Sequence, residues 1–221
     1  MPAMPQMTPA EAWTSLLEGN DRFVRGEMLH PFQDVARRAD LSTAQDPFAV
    51  IFGCSDSRVG AEIIFDRGLG DLFVVRTAGH VVDTTVIGSI EYGIDILSAP
   101  LVIVLGHDSC GAVGAAAEAL ATGRMPSGFV RAVVDRVIPS IVALPDPAED
   151  PSSGDTHPSE LHPDAAVLGR EHVRHTVRML LSYSAGLAAA VAEGRCAIVG
   201  LEYALAEGRV RLVESSGVLE G

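Results

Sequence analysis

Four short apolar runs punctuate the chain: Phe48 to Phe52, Leu72 to Val75, Leu101 to Leu105, and a fourth opening with Ala197 to Val199. They are nearly continuous rather than alternating, and rich in β-branched residues. That is the pattern of strands covered on both faces. Segments with helical spacing separate most of them, at 60–66, 83–97, 110–122, 128–143 and 165–193. Strands alternating with helices imply right-handed crossovers and a mainly parallel sheet. The end differs, because residues 200–214 alternate around Glu207-Gly208 and predict an antiparallel hairpin. The fold class expected is α/β: a mainly parallel central β-sheet flanked by helices, with an antiparallel C-terminal hairpin strand.

The N-terminal region predicts a helix that starts at Thr8. Pro9 takes the first helical position and Glu11 completes a capping box. Trp13, Leu16, Leu17, Phe23 and Val24 form its apolar side. Residues 27–47 read as an extended arm broken by His30-Pro31 and Asp46-Pro47. Residues 145–164 hold five prolines and no periodicity, and are expected to be a surface loop. No internal repeat is visible, and 221 residues suit one domain spanning 1–221.

Composition then removes whole classes of function. No stretch approaches ~18 uninterrupted apolar residues, so no membrane span is expected. The net charge is −13, and all 16 basic residues are arginine. A field of that sign repels phosphate backbones and anionic lipid, so neither nucleic acid nor membrane is an expected partner. Three cysteines, Cys54, Cys110 and Cys196, make no disulfide framework and fit a reducing compartment. The N-terminus has neither a basic start nor an apolar run, so a cytoplasmic location is expected.

Two of those cysteines fall at chemically useful places. Cys54 follows the first apolar run in Gly53-Cys54-Ser55-Asp56-Ser57-Arg58, and His107 and Cys110 follow the third in Gly106-His107-Asp108-Ser109-Cys110-Gly111. Reactive groups in open parallel sheets gather at the carboxyl ends of strands. If the two strands are neighbours, Cys54, His107 and Cys110 converge. Two thiolates and one imidazole suit zinc, and three protein ligands leave a fourth position open, as in catalytic sites. Buried cysteines are equally often core hydrophobes. Asp56 and Arg58 shift the balance. A carboxylate two residues from a ligand can accept a hydrogen bond from water at the metal, and an arginine two further on can hold it with paired hydrogen bonds. A charged pair beside a buried strand end is costly unless it has a use.

The segments CSDSR and HDSCG, with EGNDRFV (18–24), LFVVRTAGH (72–80), SIEYGIDIL (89–97) and VLGHDSCGAV (104–113), resemble the β-class carbonic anhydrases. The resemblance runs from about Ala10 to the final hairpin and is nearest in look to actinobacterial members. It implies a zinc lyase that hydrates carbon dioxide reversibly to bicarbonate and a proton. Cys54, His107 and Cys110 would bind Zn2+, and zinc-bound hydroxide would attack carbon dioxide. Asp56 and Arg58 would be the catalytic dyad that orients the hydroxide. It also implies a homodimer or a dimer of dimers (a homotetramer) in which N-terminal helices wrap the partner, a role residues 1–47 would fill. Two departures stand out. Gly68 lies where plant-type members carry a glutamine in the substrate pocket. Ile51 stands where the bicarbonate-inhibited type has tryptophan, although Arg76 and Tyr203 lie in the corresponding regions. No dedicated bicarbonate regulatory site is therefore expected. Hydrolysis of carbon disulfide or carbonyl sulfide is the near rival on the same fold, and a non-catalytic zinc scaffold is the distant one.

The remaining candidates have plainer readings. His172 and His175 fall off the apolar stripe of 165–193 and are expected to face solvent or an interface. His157 and His162 sit in the proline-rich loop. His80 ends the second strand and has a lesser claim to a proton-shuttling place near the site mouth. Cys196 is expected in the core. The helix opening at Gly111 would direct its dipole at the Cys110 thiolate.

Overall fold

A computed structural model describes residues 7–143 and 164–219. The apolar runs form strands β1 (Ala49–Cys54), β2 (Leu72–Thr77), β3 (Leu101–His107) and β4 (Ala197–Ala204), and the hairpin adds β5 (Arg209–Ser216). Their order across the sheet is β2-β1-β3-β4-β5. The pairs β1–β2, β1–β3 and β3–β4 are parallel, and β4–β5 is antiparallel, as expected. Every residue of β1, β3 and β4 is buried, while β2 and β5 are only partly covered. The physical reason is position: central strands have helices on both faces, and edge strands do not.

Side chains alternate between two cores. Ile51, Ile103 and Leu105 face one side with Leu16 of α1 (Pro9–Arg25) and Ile64 of α3 (Ala61–Ile64). Val50, Phe52, Val102 and Val104 face the other, with Ile90 of α4 (Thr84–Glu91), Val173 of α7 (Ala165–Tyr183) and Leu187 of α8 (Ala185–Ala192). A third cluster surrounds α5 (Gly111–Thr122) and α6 (Val130–Val137), and includes Cys54 and Cys110.

The capping box at Thr8 is present, with Glu11 reaching back to the Thr8 amide at 2.7 Å. The face that α1 buries matches the expected one in part, since Leu16 is buried and Trp13 and Phe23 pack against the core. Ala12, Leu16, Gly19 and Asn20 are buried, and Leu17 faces outward. Small and polar residues win because α1 packs against backbone. A Cβ at Gly19 would lie 1.8 Å from the Phe65 carbonyl oxygen. Asn20 donates to the Ile64 and Gly208 carbonyls and accepts from the Val210 amide, joining α1 to α3 and the hairpin.

Four expectations need correction or refinement. Residues 27–47 are not wholly extended, because α2 (Val35–Asp40) forms behind an Asp34 cap. The arm is also pinned, since the Leu29 and His30 amides donate to the buried Asp66 carboxylate, which Arg22 pairs at 2.6 Å. The single helix over 165–193 is two helices. Ser184 adopts extended backbone, caps α8 through the Leu187 amide and donates to Glu91 Oε1 at 2.5 Å. The pattern at 83–97 ends in a π-helical turn over Tyr92–Ile96. Among the helical patterns, 128–143 becomes α6 followed by a 3-10 turn over Ile138–Ala143. The loop expected at 145–164 lies outside the described residues except for Asp164, which caps α7. His157 and His162 lie outside them too.

Candidate metal centre

The strand order decides the site. The chain leaves β1 toward β2 on one side and later returns to add β3 on the other. That reversal opens a crevice at the carboxyl ends of β1 and β3. Cys54 is the last residue of β1, and His107 is the last of β3. Cys110 follows at the N-cap of α5. The two sulfurs and a ring nitrogen of His107 all lie within 4.8 Å of one another, and all three residues are buried. The convergence expected from sequence is present.

The donor atoms are prepared for a cation. His107 Nδ1 lies 2.7 Å from the Asp108 carbonyl oxygen. A carbonyl only accepts, so Nδ1 carries the proton and the Nε2 lone pair points inward. Among the described residues Nε2 is buried with no hydrogen-bond partner. The Gly79 amide donates to Cys54 Sγ at 3.2 Å. The hydrogen bond from Cys110 pulls the Cys54 thiol down against burial, and the same contact pushes Cys110 up. The Ala112 and Val113 amides favour a Cys110 thiolate, so the expected helix-terminus effect has the right sign, but Cys54 outweighs it. Burial opposes charge on His107, yet the neighbouring Cys54 sulfur, the Asp108 carbonyl and the Asp56 carboxylate raise its pKa above the ordinary value. Two thiols packed against each other beside an imidazole are a donor set that a divalent cation would relieve, because it would stabilise both thiolates at once.

Asp56 and Arg58 stand at the rim. Arg58 Nε and Nη2 donate to the two Asp56 oxygens at 2.9 and 2.7 Å, and the Arg58 amide donates to Oδ1 at 2.9 Å. Arg58 thereby holds the Asp56 carboxyl far below its ordinary pKa. Asp56 Oδ2 lies 3.9 Å from His107 Nε2, so the carboxylate borders the ligand set. The pair is more open than its neighbouring strand implied, with side chains 18% (Asp56) and 52% (Arg58) exposed. Burial cost is therefore a weaker argument for function than the two-pronged geometry.

Sequence reading did not assign the work of Arg76. Its guanidinium donates to the carbonyls of Cys54 at 2.9 Å and Asp56 at 2.7 Å, which fixes the loop carrying both. The available signal was a lone arginine inside an otherwise apolar strand. Cys196 is buried in the core as expected. His80 is not at the mouth. It is 1% exposed, behind the site, where burial drives its pKa well below the ordinary 6.5. His172 is also buried, contrary to its place off the stripe, while His175 is half-buried. The cause is close packing of α7 on the sheet. A Cβ at Gly106 or Gly200 would lie 2.5 or 2.7 Å from Val173, so the residues flanking that contact are covered as well.

The carbonic anhydrase family model matches residues 49–210. A carbonic anhydrase of Mycolicibacterium smegmatis is 52% identical over 209 residues, covering 95% of each chain. Carbonic anhydrase 2 of Mycobacterium tuberculosis is 49% identical over 214 residues, covering 97% of each. Among solved structures, one of two tetrameric β-carbonic anhydrases from Sordaria macrospora aligns with a TM-score of 0.64 at 22% identity. That alignment covers 81% of this chain and 87% of the other, and the likeness is one of fold.

Proposed function

This chain belongs to the β-class carbonic anhydrase family, and from that premise we propose that it interconverts carbon dioxide and bicarbonate at a zinc ion held by Cys54, His107 and Cys110. The observation that carries the reading is the convergence of two sulfurs and an unpartnered ring nitrogen beside a carboxylate tied to arginine. Two thiolates and one imidazole are a donor set zinc favours, and three protein ligands leave a position for water or substrate. When bound, zinc supplies the Lewis acidity that makes water a nucleophile near neutral pH, as it does in three-histidine carbonic anhydrases.

The rest of the chemistry belongs to this chain. The Asp108 carbonyl holds the tautomer that aims His107 Nε2 inward. Asp56, ionised and acceptor-only, takes a hydrogen bond from the attacking water and turns an oxygen lone pair toward carbon dioxide. Arg58 keeps the carboxylate at the rim, where it orients without occupying the ligand position. Arg76 holds the backbone of Cys54 and Asp56 in one register.

Stopped-flow hydration of carbon dioxide by the zinc-loaded protein, below and above pH 8, tests the reading. Fast turnover at both values is expected, because Asp56 rests on Arg58. Zinc-bound protein without turnover at either value overturns it.

The whole chain, 1–221, reads as one domain of this family, supported by the near-complete coverage of both mycobacterial relatives. We assign it a dimer or dimer of dimers. The arm exposes Leu29, Phe32 and Val35, apolar surface that a second copy would cover. Light scattering that gives a monomer mass would remove that assignment. Three buried, unbridged cysteines support a cytoplasmic place, and the charge of −13 argues against nucleic-acid or membrane partners. No helix among the described residues is long and apolar enough to cross a membrane.

A further inference from the structure

Behind the ligand set lies a buried polar cluster that takes no part in the chemistry above. His172 on α7 is 1% exposed. Its Nε2 lies 2.9 Å from the Gly79 carbonyl oxygen, and its Nδ1 lies 2.8 Å from Ser140 Oγ. The carbonyl can only accept, so Nε2 carries the proton and Nδ1 accepts from the fully buried Ser140 hydroxyl. Both ring nitrogens are committed, and one tautomer is selected.

The residue at the other end of this contact touches a ligand. Gly79 gives its carbonyl to His172 and its amide to Cys54 Sγ. It does so in the left-handed region (φ 64°, ψ 21°), and His80 follows at φ 42°. Two successive residues of that hand, one of them not glycine, persist only where the surroundings hold them. A Cβ at Gly79 would lie 2.7 Å from the Ala112 Cβ, so packing closes one side. His172 closes the other. An apolar side chain of similar volume would fill the same space without burying two polar ring atoms. It would leave the Gly79 carbonyl unpaired.

We propose that His172, locked by Ser140, is a positioning residue for the metal centre. Through the Gly79 carbonyl it fixes the residue whose own amide, in the preceding peptide unit, donates to Cys54, and so holds this sulfur in place and limits the charge it gives to the metal. The inference rests on the reading of Cys54 as a ligand. A hydrogen bond to a ligand atom tunes the metal as outer-shell contacts do elsewhere. The neighbouring His80 ring, 4.4 Å from His172 and kept neutral by burial, leaves this contact undisturbed by charge.

Cobalt(II) substituted into the full-length chain tests it, because sulfur-to-cobalt absorption reads the thiolates directly. Wild-type protein without that absorption overturns the ligand reading itself, whatever His172 does. With it present, His172→Ala is expected to move the band to lower energy and to weaken zinc binding about 10-fold in chelator competition. His172→Gln is expected to restore both, since its amide can donate to Gly79 and its carbonyl can accept from Ser140. Ser140→Ala is expected to shift the band partway. A folded His172→Ala protein with the wild-type band and zinc affinity overturns the proposal. So does a His172→Gln protein of wild-type thermal stability that shows the alanine spectrum. If the alanine variant does not fold, an unmoved band in Ser140→Ala overturns it and a shifted one supports it.

Discussion

Both oxygens of Asp56 are tied to Arg58, and one of them still borders the ligand set at 3.9 Å from His107 Nε2. Such a carboxylate can orient a nucleophile without binding the metal. Asp56→Asn puts an N–H where one of the two acceptors stands and turns a donor toward Arg58. The expected result is a fall in kcat of about 100-fold or more with zinc content unchanged, read by stopped-flow hydration and metal analysis. Wild-type turnover in that variant would remove Asp56 from the chemistry. At this scale the candidate ligands and the Asp56–Arg58 pair were legible in the sequence as a cluster, because each lies at the end of an apolar run or just past it. Arg76 and His172 were not. Their importance lies in carbonyl groups of Cys54, Asp56 and Gly79 that they meet across the fold, and no spacing records which carbonyl a side chain will reach.

At the scale of elements, the seating of α1 shows how backbone contact overrides apolar pattern. The helix crosses α3 at Gly19, where a methyl group would overlap the Phe65 carbonyl. Gly19→Ala is expected to destabilise the protein by about 1–3 kcal/mol through overpacking. Gly88→Ala, on an exposed face of α4 with nothing within 4 Å, is expected to stabilise it by up to about 1 kcal/mol through helix propensity. Urea midpoints of the two variants measure the contrast. A Gly19→Ala protein as stable as wild type would show that α1 can shift to relieve the contact. The sequence pattern located α1, but it named Leu17 for a face that Gly19 and Asn20 occupy. Periodicity marks apolar residues, and this contact selects for smallness and amide hydrogen bonds.

For the whole molecule, two buried histidines add to the response to acid. His172 is held down to about 4 by burial, and His80 well below 6.5 for the same reason. Their folded pKa values are depressed, so the native state keeps both rings neutral as pH falls below 6.5, while the unfolded chain protonates them. Their contribution is therefore intact above 6.5 and declines toward pH 4. The slope is about 1.4 kcal/mol per pH unit for each histidine. Asp56 and Asp66, whose pKa values are also depressed, contribute a similar loss only at lower pH, below their ordinary 3.8. Urea unfolding of wild type and His172→Gln at pH 7.5, 6.5 and 5.5 checks this. Between pH 7.5 and 5.5 the variant should lose about 1.4 kcal/mol less stability than wild type, most of it below pH 6.5, and equal losses would exclude His172 as a source.

The sequence by itself determined the α/β class, the buried strands, the hairpin, and the candidate site residues at the strand ends. These follow from local burial pattern and turn residues, which act over a few positions. Only the tertiary structure decided that β1 and β3 are neighbours, which turns two separate motifs into one centre. It decided that His172 is buried, because Gly106 and Gly200 let α7 settle onto the sheet. It also broke one long helical pattern at Ser184, whose hydroxyl meets Glu91 from a distant element. In each case the deciding contact joins residues far apart in the chain, and its energy depends on a distance that exists only after folding.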